Sequence, residues 1–152
     1  MIGWRSVGAG PPLLLLEDPG YDWEAITTRM ATMHRVLRVE MRADLGPPDA
    51  LTNELVSVLD EAGVPAAIVV GGAAALAVAA RRPARVTALV LFTNQALGQV
   101  PPLRVATLLL VRDREPGGLA ALRRSIPGAE VAFATDDAVG LAQTLLDFTA
   151  TL

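Results

Sequence analysis

From Leu13 onward, short apolar runs rich in leucine, valine and isoleucine alternate with amphipathic segments, and this alternation restricts the fold more than any other feature of the chain. It is the pattern of β-α units that build a mostly parallel sheet with helices on both faces. Strands are predicted near Leu13–Leu16, Val36–Met41, Ala66–Val70, Val86–Phe92, Val105–Val111 and Glu130–Ala134. Most are almost continuously apolar, as strands covered on both sides must be. The expected architecture is a single three-layer α/β/α sandwich over residues 1–152.

The segments between the strands carry helical signals. Trp23, Ile26, Met30 and Met33 share one face of a first helix, which His34 ends, and Leu51, Leu55, Leu59 and Ala62 share one face of a second. Gly63 and Pro65 stop the second. Ala73–Arg82 is apolar nearly all round and is expected at the centre of the structure. A fourth helix opens near Pro116 and presents Leu119, Leu122 and Ile126; a last one opens at Asp136 or Asp137 and presents Leu141, Leu145 and Phe148.

Composition removes several chemistries. All thirteen basic residues are arginine, and there is neither lysine nor cysteine. Schiff-base catalysis, thiol catalysis, disulfides and thiolate metal sites are therefore excluded. A net charge of −3 leaves no basic stripe for nucleic acid. The uncharged stretch Val64–Ala80 is broken by Pro65 and Gly71-Gly72, so it reads as a strand running into a buried helix and not as a membrane span. Met1–Gly10 lacks the apolar core of a signal peptide, and a chain with no disulfide requirement is expected in the cytoplasm. Abundant Ala, Gly, Arg and Pro without lysine is the composition of a GC-rich bacterial gene.

Four stretches, in order, resemble the α/β-hydrolase family over nearly the whole chain. Gly8–Leu16 is similar to the approach to the family's third strand, and Tyr21-Asp22-Trp23 stands where its first helix begins. Ala79–Leu91 is similar to the helix and strand that follow the nucleophile, and Thr107–Pro116 to the strand that delivers the catalytic acid. The resemblance implies a minimal α/β-hydrolase-like fold, here without a cap domain: only Thr93–Arg104 separates the strands between which the family inserts its lid.

It also implies a hydrolase that has lost its chemistry. The family's nucleophile sits in Gly-X-Ser-X-Gly on a strained turn, served by a histidine. Aligned on the preceding strand, the motif falls on Gly71-Gly72-Ala73-Ala74-Ala75, with Ala73 at the nucleophile; aligned on the following helix, Val69 takes that place. Neither can attack a carbonyl. Ser6, Ser57 and Ser125 lie elsewhere, in an N-terminal arm and on the second and fourth helices. After the last strand, where the family carries its histidine, this chain has Ala134-Thr135-Asp136-Asp137, and His34 is expected far from that edge. Glu17-Asp18-Pro19-Gly20 replaces the His-Gly of the oxyanion loop, opposing a developing negative charge.

What remains at the carboxyl edge is mainly carboxylate. Glu17, Asp18, Asp113, Glu115 and Asp136 are the candidate catalytic groups, and Tyr21, Gly71, Gly72, Ala73 and Asn94 the candidate ligand-binding ones. The glycine pair fails the dinucleotide pattern at Ala73 and Leu76, so no cofactor is expected, and no metal site is assigned. Two function classes follow. One is a non-hydrolytic biosynthetic lyase, isomerase or cyclase acting on a small apolar metabolite; the other is an inactive binding or assembly subunit. The short apolar connection through Ala96, Leu97, Val100, Pro101, Pro102 and Leu103 suggests a bare patch over Val90–Phe92 and Val105–Leu109, and hence a homodimer.

Overall fold

Helix and strand propensities resolve into one seven-stranded sheet in a computed structural model that describes residues 2–17, 21–41, 46–93, 100–111, 119–133 and 137–152. The strands are β1 Trp4–Val7, β2 Pro12–Glu17, β3 Arg35–Glu40, β4 Ala67–Gly71, β5 Val86–Phe92, β6 Ala106–Val111 and β7 Glu130–Phe133, in the order β1-β3-β2-β4-β5-β6-β7. All neighbours are parallel except β1, which runs antiparallel to β3 with Arg5 opposite Arg38.

The N-terminal arm, to which no strand was assigned, forms the strand β1. Its residues, Trp-Arg-Ser-Val, show neither alternation nor an apolar run, and as an edge strand it hides little, which is why hydrophobic patterning does not reveal it. Ser6 therefore sits in a strand, accepting a hydrogen bond from Arg35 Nε at 3.0 Å. Gly8 and Gly10, at φ +85° and +121°, then carry the chain from β1 into β2 beneath the 31–34 connection; a Cβ on Gly8 would stand 2.5 Å from the His34 carbonyl oxygen.

Helices α2 (Pro48–Glu61), α3 (Ala73–Arg81) and α4 (Leu119–Ser125) cover one face, where Leu55, Leu59, Ala75, Val78 and Ile126 pack on Leu14, Leu37, Val69 and Leu89. Helices α1 (Trp23–Met30) and α5 (Ala138–Thr149) cover the other, with Ile26, Met30, Leu141 and Leu145 on Leu15, Val36, Val70 and Val90. Alternate residues of each strand go to opposite faces, so the same pleat supplies both cores. Asp137 opens α5, accepting hydrogen bonds from the N–H groups of Val139 and Gly140.

The bare patch is not found. Val90, Leu91, Phe92, Leu108 and Leu109 are all buried, because Val100 and Leu103 of the short connection pack into the α2–α4 face while α5 covers the opposite one. The Leu103 N–H donates to the Ser125 carbonyl at 2.8 Å, pinning the connection to the end of α4. Among the described residues no helix is long and apolar enough to cross a membrane.

Candidate functional site

Every parallel strand delivers its carboxyl end to one edge, and in such sheets that edge is where ligands bind. At its centre β4 ends at buried Gly71 and α3 begins at Ala73, with Gly72 between them as N-cap. Gly71 is required by close approach: a Cβ there would lie 3.0 Å from Leu16 Cβ and 3.2 Å from Ala75 Cβ. Gly72 takes φ −101° and ψ −129°, and no described non-glycine residue has a positive φ. Ala73 is thus an ordinary first residue of a helix, and Val69 is fully buried inside β4. Both positions at which the nucleophile motif can be anchored carry side chains without a nucleophilic atom, and neither stands on a strained turn.

Beside this turn, Tyr21, Trp23 and Phe92 form a cluster, with ring centroids 5.5 Å apart for Tyr21 with each of the other two and 5.9 Å for Trp23 with Phe92. Phe92 ends β5 and Trp23 opens α1, so the cluster joins two elements at the carboxyl edge. The next residue, Thr93, donates its hydroxyl to the Leu110 carbonyl. Asp18, Asn94, Asp113, Glu115 and Asp136 lie outside the described residues, as do Ala96 and Leu97.

Glu17 is the one proposed catalytic carboxylate within them, and it ends β2 where the start of the oxyanion-loop segment was expected. Its Oε1 accepts from Arg38 Nε at 2.5 Å and is also met by Arg38 Nη2, while Arg38 Nη1 reaches Glu24 on α1. The Arg38 side chain is 9% exposed and that of Glu17 17%, against 72% for Glu24. Burial alone would lower the Arg38 pKa, but hydrogen bonds to Glu24 and Glu17 reverse that and raise it. The Glu24 carboxyl is held below its ordinary 4.5, first by the Arg38 hydrogen bond, then by that guanidinium's charge. A carboxyl lowered in this way supports folding above its ordinary pKa, and the support fades as pH falls through the lowered value. Because Glu24 is solvated the effect is small.

This charged cluster is absent from the sequence reading, though a signal was present: Arg38 interrupts the apolar run Val36-Leu37-Arg38-Val39, and a charge in the middle of a covered strand needs a partner. With Gly3, Trp4, Arg5 and Glu40, Arg38 and Glu17 line a cavity of about 280 Å³.

His34 stands at the opposite edge of the sheet. The helix α1 ends at Met30, so His34 is not its terminal residue but lies in the connection, immediately before β3. It is buried, with Nδ1 3.2 Å from the Pro11 carbonyl oxygen and Nε2 3.1 Å from Thr149 Oγ1. A strand the length of β4 or β5 separates it from the Gly72 turn, on the order of 15–20 Å. Among the described residues no group of three or more histidines and carboxylates could hold a metal ion.

No family model matches the chain, and no curated protein matches it in sequence. Solved structures do. An epoxide hydrolase from Bacillus megaterium superposes with a TM-score of 0.80 at 10% identity, covering 98% of this chain and 96% of that one. An α/β-hydrolase enzyme from the sediment metagenome of the Mar Chica lagoon gives 0.77 at 14% identity, with 99% and 95% covered. An α/β hydrolase from Sphaerobacter thermophilus gives 0.74 at 17% identity, with 97% and 96% covered. The fold is that of the α/β hydrolases.

Proposed function

We propose that this α/β-hydrolase-fold protein does not run Ser-His-acid hydrolysis and serves as a binding or assembly subunit. The observation that carries the reading is the β4–α3 turn. Gly72 makes it without left-handed strain, Ala73 follows inside a helix, and no hydroxyl, thiol or imidazole of residues 69–75 is available to attack a carbonyl. The neighbours named as hydrolases share the fold at identities too low to carry their activity here.

The test is direct. Purified protein should hydrolyse activated esters and epoxides no faster than buffer, and Ala73→Ser should add nothing, because a serine without a base stays protonated. Turnover that a single substitution abolishes would overturn the reading.

The aromatic cluster favours a second reading. Tyr21 brings a hydroxyl beside an apolar surface at the carboxyl edge, which suits a cofactor-free lyase, isomerase or cyclase of a small apolar molecule. Proton transfer would then fall to Tyr21 or to Asp18, Asp113, Glu115 or Asp136, since Glu17 is committed to Arg38. Amide substitutions at those acids and Tyr21→Phe, assayed against a substrate found by metabolite screening, separate the two readings.

A further inference from the structure

A second cavity, of about 200 Å³, lies between α2 and the start of β1. One wall is a stripe of α2. Glu54 and Glu61 are two helical turns apart, so they share a face with their backbones about 10 Å apart along the axis, and Ser57 and Val58 stand on the turn between them. The other wall is the Trp4 ring with Ile2. Ile2 and Val58 are buried, Trp4 is half-buried, and the two carboxylates are exposed.

The charge here has one sign. Trp4 Nε1 donates to Glu61 Oε2 at 2.8 Å, which fixes the ring, but the donor is neutral and leaves the Glu61 charge uncompensated. Neither Glu54 nor Glu61 forms an ion pair among the described residues, and no basic residue lines the cavity. Arg35, whose Nη1 donates to the Ala62 carbonyl beside Glu61, pairs with neither. Ser57 gives its hydroxyl proton to the Asn53 carbonyl, so toward the cavity it can only accept. With the indole N–H also engaged, every polar side chain of the lining is left as an acceptor or a negative charge.

We propose that this cavity binds a free organic cation, a quaternary ammonium of about the size of choline. Its charge faces the electron-rich ring of Trp4 and the two carboxylates, while its methyl groups displace water from Ile2 and Val58. A chelated metal ion suits the site less, since it takes several oxygens at about 2–2.6 Å and the two carboxylates start two turns apart. The same carboxylates repel the phosphodiester that a lipid headgroup would bring with its ammonium. The site shares no residue with the Gly72 turn and does not depend on whether the protein is an enzyme.

Titration of the full chain with choline, followed by calorimetry and by the Trp4 indole N–H resonance, tests this, with 3,3-dimethylbutan-1-ol as a control of the same shape without the charge. Choline should bind saturably and about tenfold tighter than the alcohol. Glu61→Gln keeps an acceptor for the indole N–H while removing a charge; combined with Glu54→Gln, it should bring choline down to the affinity of the alcohol. Trp4→Leu should weaken choline by about tenfold. Because Trp4 also packs on the core, the double glutamine variant decides the matter if Trp4→Leu does not fold. No saturable binding of choline, equal binding of the alcohol, or unchanged affinity in the double glutamine variant would overturn the proposal. Retention on phosphatidylcholine vesicles without binding of choline in solution would overturn the assignment to a free cation.

Discussion

Arg38 shows how one side chain can organise a region. Its burial is tolerable only because Glu17 and Glu24 meet it, and the loss of either side of the buried pair should cost more than the pair is worth. We expect Arg38→Met to destabilise by about 3 kcal/mol because Glu17 is left unpaired, and the double variant Arg38→Met/Glu17→Met to recover most of that loss. Urea unfolding of both variants checks it; equal destabilisation would show that the ion pair is not the reason. His34 is the other buried polar anchor. The Pro11 carbonyl can only accept, so Nδ1 carries a proton, while Nε2 and Leu146 O both border the Thr149 hydroxyl. His34→Ala breaks the link between Pro11, just before β2, and α5 and should cost about 2 kcal/mol, against under about 0.5 kcal/mol for Met33→Ala on the neighbouring exposed position. Thermal or urea melts separate the two.

Among elements, β4 and α3 are the pair on which the centre of the sheet depends. Every residue of β4 is buried, and α3 lies against it through alanines, which lets helix and strand approach closely. Gly71→Ala places a methyl against Leu16 and Ala75 and should destabilise by about 1–2 kcal/mol, read from the unfolding midpoint. Alanine at residue 71 without loss would mean that α3 can slide outward. These elements were legible in sequence because their residues face apolar neighbours on both sides: Val86–Phe92 is found with its bounds as expected, and Gly63 and Asp137 end and begin helices as their chemistry dictates. The strand β1 was not legible, since an edge strand held by backbone pairing leaves no hydrophobic period. Nor was the charged cavity, because register across three strands, not proximity in sequence, brings Arg5, Glu17, Arg38 and Glu40 together.

For the whole molecule, the question is which surfaces remain for partners. With β5 and β6 covered on both faces, the expected self-association loses the patch on which it was argued. Light scattering at micromolar concentration should give a mass near 15.9 kDa. A stable mass about twice that would direct attention to the open edges, above all β7, where Phe133 is 60% exposed.

The turn at Gly72 also bears on how this chain could be changed. The two anchors of the nucleophile motif, Val69 and Ala73, lie four residues apart, close to one turn of helix, at which spacing side chains return nearly to the same face. Whichever anchor is taken, α3 presents the same buried stripe of Ala75, Val78 and Ala79. A designer seeking a hydrolase from this scaffold would first have to build a left-handed turn at the junction, and only then add a serine and bring in a base from a new position. Such a conversion takes several concerted substitutions, so single-residue variation alone leaves the protein on its present side of that divide.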